Sequence, residues 1–395
     1  MKPNLTDTYT CTLPWRTDNT FTLYVDGDQF YPRIFDCIGA ATSTVDIEMY
    51  LFESGGLSDE VIAILEGVRG RGVAVRLLLD HVGSHGLHHQ ERQRLTRVGV
   101  EIRYFNKLQQ RKRLRNLSRD HRKIIVIDST VAFVGGAGMT DDFSPRHSGA
   151  DAWHDAMVEI RGPLVHDWGL LFERTWEHYD SIHDEKLRKR LQQALRSEHT
   201  PPLRNREVPQ GRAVATRGPG NKPIIGSLLS ETNKSSRRVL MSTAYFLPSR
   251  KLVKALTRAA QRGVDVRLMV PGAKTDHISM LYAGRSWYTP LLQAGVRVYE
   301  YQHRFTHLKT ALVDDWVTLG SCNFDRWNLQ LNLEANLEAL DPDLVRQVAG
   351  MLEQDLREAT EIKLSRWKAR SWREKILERF FKWIAGFFIN RLPND

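Results

Sequence analysis

Two copies of the pattern His-x-Lys-x-x-x-x-Asp occur in the chain, as His121, Lys123, Asp128 and as His307, Lys309, Asp314. Side chains of these types can handle a phosphodiester. Attack at phosphorus places extra negative charge on the non-bridging oxygens, and two lysine ammonium groups around one phosphate would hold that charge with no metal or cofactor required. A neutral imidazole can attack phosphorus to give a phosphohistidine, which divides one difficult displacement into two easier ones. A second, protonated imidazole can donate to the leaving alkoxide and later take the proton of an incoming alcohol. With an ordinary pKa of ~6.5, histidine suits both roles near neutral pH, provided neighbours drive the two rings apart in protonation. Spacing alone does not decide which histidine is the nucleophile.

The elements that must position these groups are legible in the flanks. The first motif runs HRKIIVID, Ser129-Thr130, VAFVGG, and the second HLKTALVD, Asp315-Trp316, VTLGS. Runs of β-branched and apolar residues too short for helices, split by turn formers, predict a strand, a tight turn and a returning strand. Strand side chains alternate faces, so each His projects with its Lys, while Asp128 and Asp314 point elsewhere or occupy the turn and support the pair. The repeat extends upstream at a nearly constant offset: RGRGVAVRLLLD (69–80) pairs with AQRGVDVRLMVP (260–271), VGVEIRYFN (98–106) with AGVRVYEYQ (294–302), and IEMYLF (47–52) with STAYFL (242–247). Such a period predicts two similar α/β halves, each a mixed sheet flanked by helices. Neither half has a full set of catalytic groups, so the site is expected at their interface.

On these motifs the chain resembles the phospholipase D superfamily, and within it the short-form bacterial cardiolipin synthases of type B. The resemblance runs from about Leu23 to about Leu340 and is carried further by YPRIFDCIGAA (31–41), RGPLVHDW (161–168), AYFLPS (244–249) and HLKTALVDDWVTLGSCNFDRWNLQLNLEAN (307–336). It implies that His121 is the nucleophile and His307 the acid and base, that Glu334 orients His121 and Asp155 orients His307 across the interface, and that Asn323 is an amide donor to the phosphate. Ser321 is a second donor. The first half departs from the pattern, with Gly138 where an Asn is expected, and a Gly offers only its backbone N–H. The implied reaction is transfer of a phosphatidyl group from one phosphatidylglycerol to another, releasing glycerol and giving cardiolipin. The alternative is another phosphodiesterase on the same scaffold, a phospholipid hydrolase or a nuclease.

Composition bears on the partner. At 395 residues and 41% hydrophobic content the chain can bury two substantial cores. A net charge of +10 suits an anionic partner, lipid or nucleic acid. Positive charge gathers in NKLQQRKRLRNLSRDHRK (106–123), which leads into His121 and is expected on the substrate approach. At the other end, SRWKARSWREKILERFFKWIAGFFINRL (365–392) places Trp372, Phe380, Trp383 and Phe387 on or near one helical face beside a basic side. Its longest uninterrupted apolar stretch, Trp383 to Ile389, is far below the ~20 residues needed to span a bilayer. A helix lying on anionic lipid is expected, docking on the protein's own core being the alternative. Nucleic acid is disfavoured, because no stacking aromatics are evident near the motifs.

The expected organisation is a first half over 1–183, a linker over 184–217 rich in Pro, Gly and charge, a second half over 218–360, and the basic amphipathic helix over 361–395. No apolar leader core is visible near the N-terminus, nor the membrane-spanning helices of long-form cardiolipin synthases, so a peripheral location on the cytoplasmic face of a bacterial inner membrane is expected. Three cysteines, Cys11, Cys37 and Cys322, suit a reducing compartment, with Cys322 open to alkylation beside the site. The cluster His81, His85, His88, His89 has helical zinc spacing, but Gly83 and Gly86 break the helix, so a loop lining the site is expected.

Overall fold

The structure, a computed structural model, describes residues 9–109, 116–178, 208–217, 222–325 and 332–390. Its strands in chain order are β1 (Tyr9–Thr12), β2 (Thr20–Val25), β3 (Thr44–Met49), β4 (Ala74–Asp80), β5 (Glu101–Phe105), β6 (Lys123–Ile127), β7 (Val131–Gly135) and β8 (Ala156–Arg161). They continue as β9 (Gln210–Arg217), β10 (Arg238–Thr243), β11 (Asp265–Pro271), β12 (Arg297–Tyr301), β13 (Lys309–Val313), β14 (Trp316–Gly320), β15 (Ala335–Leu340) and β16 (Thr360–Ile362). The first sheet has the order β2-β8-β7-β6-β3-β4-β5 and the second β1-β9-β15-β14-β13-β10-β11-β12-β16. Apart from the added edges β1 and β16, the two orders are the same. In each, three strands run parallel (β3, β4, β5 and β10, β11, β12) and the motif hairpin is antiparallel.

The hairpins explain the apolar runs of the motifs. Strands β6 and β13 are central and every residue in them is buried, which is why they lack a polar face. Their alternate residues still serve different cores. Ile124 and Val126 pack with Leu312, Val317 and Leu337 between the two sheets, whereas Ile125 and Ile127 face the outer helices of the first half. The halves therefore meet sheet against sheet, with helices outside, and the helices Leu164–His178 and Pro342–Glu358 close the shared core. The second of these also reaches across, since Gln347 accepts a hydrogen bond from Leu23 N in β2 (2.8 Å).

Two segments depart from the expected boundaries. Gln210–Arg217, assigned from its composition to the linker, is a strand paired with β15 from Gln210 to Ala215. Tyr9–Thr12, expected with the first half, pairs with β9 of the second sheet. In both cases the partner is remote in sequence, and local composition carries no trace of it. Residues 184–207 of the expected linker, and residues 110–115 of the basic run, lie outside the described residues.

The C-terminal helix Trp372–Asn390 packs on the helix Ile278–Arg285. Tyr282 and Phe381 stack at 5.8 Å, and Glu378, buried, pairs with Arg370 (2.6 Å). Phe381 is thus the docked side, while Trp372, Ile376, Phe380 and Trp383 are 66%, 52%, 51% and 65% exposed. One face of this helix docks on the protein, the alternative named for it, and its other face carries exposed aromatic side chains. The side chain of Phe387 lies outside the described residues. Among those residues no helix is long and apolar enough to cross a membrane.

Candidate active site

Lys123 and Lys309 open β6 and β13, and each histidine lies two residues earlier, in a segment that crosses to the other half. Asp120 forms a parallel bridge with Leu333, and His121 N donates to Leu333 O (2.9 Å). In the mirrored arrangement Thr306 bridges His154, and His307 N donates to His154 O (2.7 Å). Each bridge delivers the next residue's carboxylate to the imidazole opposite. His121 Nδ1 lies 3.2 Å from Glu334 Oε2 and 3.2 Å from Ser321 O. His307 Nδ1 lies 2.6 Å from Asp155 Oδ2. With Nδ1 engaged on both rings, Nε2 is the nitrogen left to face a substrate.

Both imidazoles and Lys123 line one cavity of about 370 Å³, together with Tyr50, Tyr245, Trp153, Phe143, Arg119, Asn323 and Asp276. Lys123 Nζ donates to His121 O (2.7 Å) and stands 5.1 Å over the Tyr50 ring. Lys309 Nζ lies 2.8 Å from His307 Nδ1 and 4.0 Å from Asp155 Oδ2, so lysine, imidazole and carboxylate form one coupled set. Asn323 is buried, and its side-chain oxygen has no hydrogen-bond partner among the described residues. The two ends of an amide are interchangeable, so Asn323 can turn its N–H₂ toward a bound oxyanion. Ser321 is committed elsewhere: its hydroxyl donates to Glu334 Oε2 (2.5 Å) and thereby holds the carboxylate that holds His121.

Burial pushes the titration of both lysines, both histidines and Asp155. Burial and the Lys309 ammonium bring Lys123 down to about 7, and burial brings Lys309 down to about 8. Burial and the lysine charges lower His121, and lower His307 well below the ordinary imidazole range. Burial raises Asp155 to about 6. Burial thus favours neutral imidazoles and weakly held lysine protons, and a phosphate anion beside them would favour the charged forms.

Asp128 and Asp314 are placed at the other ends of β6 and β13, in the hairpin turns, at φ 49° and 51°. Asp128 accepts from the backbone N–H groups of Thr42, Ser43 and Thr44, and Asp314 from those of Ser236, Arg237 and Arg238. They clamp the turn to the start of the neighbouring parallel strand and do not line the cavity, so of the two placements open to them they take the turn. The histidine cluster is likewise dispersed: residues 81–87 form turns, the helix begins at His89, and among the described residues no three His, Cys, Asp or Glu side chains gather as metal ligands. Cys322 is fully buried and its thiol raised well above the ordinary range by burial, which removes the expected alkylation sensitivity.

The rings around the site were missed in the sequence. Phe143, Trp153 and Phe305 surround His307 at 5.2, 5.4 and 5.8 Å, and Tyr50 lies 4.7 Å from His121. Tyr50 and Tyr245 occupy equivalent positions of IEMYLF and STAYFL, which was the available signal. Tyr50 packs on the His121 imidazole, and Tyr245 on Phe305 and His277.

Paired sheets of this topology, with two His-Lys pairs whose carboxylates are exchanged between halves, define the phospholipase D-like class of phosphodiester enzymes. A family model described as cardiolipin synthase, phospholipase D-like domain, matches residues 34–176 and 228–356, and the chain belongs to that family. It is 31% identical over 374 residues to cardiolipin synthase A of Pectobacterium carotovorum, covering 93% of this chain and 75% of that protein. Against cardiolipin synthase 1 of Bacillus anthracis the identity is 29% over 382 residues, covering 93% and 72%. Among solved structures, phosphatidylserine synthase of Haemophilus influenzae matches with a TM-score of 0.73 at 15% identity over 96% of both chains, a likeness of fold.

Proposed function

We propose that the protein is a cardiolipin synthase that transfers a phosphatidyl group between two phosphatidylglycerol molecules. His121 Nε2 attacks phosphorus, the bond to the glycerol oxygen breaks, and the His307 imidazolium gives its proton to that oxygen. Neutral His307 then takes the proton of a hydroxyl on a second phosphatidylglycerol, whose oxygen displaces His121 and forms cardiolipin. Lys123, Lys309 and Asn323 hold the charge that develops on the phosphoryl oxygens. Glu334 steadies the positive charge that His121 gains on phosphorylation, and Asp155 does so when His307 is protonated. The observation that carries the proposal is the convergence of both His-carboxylate dyads on one cavity, each dyad made from both halves.

Cavity size supports a lipid held by its head group. About 370 Å³ accommodates a phosphodiester with a glycerol but not two acyl chains, which must stay outside in the bilayer. Exposed apolar residues lie where such a bilayer would meet the mouth. Leu117, which lines the cavity from the first half, is 42% exposed, and Ile278, next to the cavity-lining His277, is 53% exposed. The docked helix Trp372–Asn390 continues this surface with Trp372, Phe380 and Trp383, beside Arg373 and Arg379. Peripheral binding to anionic membrane, on the cytoplasmic side of a bacterial inner membrane, follows as part of the proposal. The test is lipid mass spectrometry after expression in a host without its own cardiolipin synthases. Cardiolipin should accumulate with the wild type and not with His121→Ala. Unchanged lipids together with nucleic-acid cleavage by the purified protein would overturn the proposal.

A further inference from the structure

His154 precedes the carboxylate that holds His307, and it is itself a buried side chain gripped from both ring nitrogens. Its Nδ1 lies 2.8 Å from Asp26 Oδ1 and its Nε2 3.0 Å from Asp355 Oδ2, with 2% of the residue exposed. Asp26 belongs to the first half, after β2, while Asp355 belongs to the helix Pro342–Glu358 of the second. A neutral imidazole has one N–H and could donate to only one of these carboxylates. Burial disfavours the charged ring, but Asp355 and Asp26 outweigh it and hold the pKa up at about 10, so a buried imidazolium spans the two halves at neutral pH. Tyr301 stacks on it at 5.3 Å.

The backbone around it is fixed with equal care. His154 N donates to Phe305 O (2.8 Å) and His154 O accepts from His307 N (2.7 Å), so the two histidine segments are bonded in both directions. Asp26 N donates to Asp155 O (2.8 Å) although Asp26 has a φ of 67°, an uncommon conformation for a residue with a side chain. Arg304 pairs with the second oxygen of Asp26 and lies within reach of Ala152 O (3.4 Å). The equivalent position in the other dyad, before Glu334, is Leu333, so this ionic clasp serves one dyad only.

Resting on the proposed role of His307 as acid and base, we infer that His154 is a positioning residue that keeps Asp155 ionised and aimed at His307 throughout the cycle. Asp155 is faced by His307 and Lys309, with Lys123 across the cavity, and by the His154 cation behind it. The proton inventory of His307 and the lysines changes during turnover. His154, remote from the substrate and pinned by two carboxylates, does not change, and so supplies a constant positive charge behind that carboxylate. Without it, Asp155 would compete with His307 for the proton that the mechanism needs on the imidazole.

The test uses the full-length chain with His154→Gln, which can bond one carboxylate but carries no charge, and His154→Arg, which restores a cation with two donor edges. Two soluble phosphodiesters are compared, one with a p-nitrophenolate leaving group that needs little protonation and one with a glycerol leaving group that needs it. His154→Gln should lower kcat for the glycerol ester about 10- to 100-fold, part of what a general acid contributes, and for the p-nitrophenyl ester only a few-fold. KM should change little. The acid limb of its pH profile should move upward, because Asp155 loses a cation that favours its ionised form, and His154→Arg should bring both properties back toward the wild type. Equal losses on both esters with an unmoved acid limb would reduce His154 to a structural role and overturn the inference. Asp355→Asn, which releases one side of the ring and is a milder perturbation, should show the same split if His154→Gln does not fold. Nitrogen NMR of the His307 ring reads the clasp without any substrate. Its Nδ1 proton signal and titration should change in His154→Gln, and an unchanged signal counts against the inference even where the lipid assay has failed the functional proposal.

Discussion

At the scale of single residues, the site works against its own ion chemistry until a substrate arrives. Lys123 at about 7 and Lys309 at about 8 are partly neutral in the free enzyme at physiological pH, whereas a bound phosphodiester anion favours their charged forms. The alkaline limb of kcat/KM, which reports the free enzyme, should therefore fall as pH rises through about 7 to 8, and that of kcat should lie at higher pH. Coincident limbs in steady-state kinetics on a soluble phosphodiester would show that the lysines are not the phosphate holders. Gly138 poses a second question, since Asn stands at the equivalent Asn323. A Cβ at Gly138 would come 2.9 Å from both Leu51 Cβ and Leu51 O, and backbone cannot yield cheaply. Gly138→Asn should thus destabilise by about 1–3 kcal/mol and lower kcat rather than add a phosphate donor, as thermal denaturation and kinetics would report. What the sequence disclosed at this scale was the chemistry-bearing pairs, because repetition exposed them. The partners of His154 stayed hidden, because Asp26 and Asp355 lie far away along the chain and neither resembles a motif.

At the scale of elements, the last residue of each motif sits in the hairpin turn, away from the cavity. Asp128 is partly exposed, and its carboxylate gathers three backbone N–H groups and the Thr42 hydroxyl, so Asp128→Ala should cost about 1–2 kcal/mol after allowance for solvent. Turnover at low temperature should be largely retained, whereas a loss matching that of His121→Ala would place Asp128 in the catalytic set. Burial opposes ionisation there, but the amides of Thr44, Thr42 and Ser43 outweigh it and lower the carboxyl pKa. A depressed folded pKa stabilises above the unfolded value of ~3.9 and ceases to do so as pH falls through the folded one. The difference in melting temperature between Asp128→Ala and wild type should consequently close in strong acid. The hairpins were readable because each is local, two apolar runs around a turn. Gln210–Arg217 was not, because QGRAVATR becomes a strand only when β15, more than a hundred residues later, lies beside it.

At the scale of the molecule, the two halves share one strand order and differ in the segments that orient the site. The sheets pack face to face, the dyads are exchanged between them, and the segments that frame the cavity mouth carry exposed apolar side chains from both halves. The helix Trp372–Asn390 rests on the helix Ile278–Arg285, whose Met280 lines the cavity, so under the proposed function a bilayer held by the first would lie beside the entrance supported by the second. Its exposed aromatic residues contribute to no core, and their replacement should leave the fold intact. Trp367 differs, being buried with its indole N–H bonded to Thr289 (3.1 Å), so a truncation that tests the helix must leave residues up to Arg370 in place. The combined variant Trp372→Ala, Phe380→Ala, Trp383→Ala should melt within a few degrees of the wild type and turn over a soluble phosphodiester at the same rate. Its affinity for vesicles containing phosphatidylglycerol should fall about 100-fold, on the basis of ~1 kcal/mol for each ring partly buried at the interface. Raising the salt concentration should weaken wild-type binding only in part, since screening acts on Arg373 and Arg379 and not on the buried rings. Vesicle binding equal to that of the wild type, in co-sedimentation at low salt, would mean that the aromatic face meets something other than lipid and that the mouth is presented to the membrane by Leu117 and Ile278 alone.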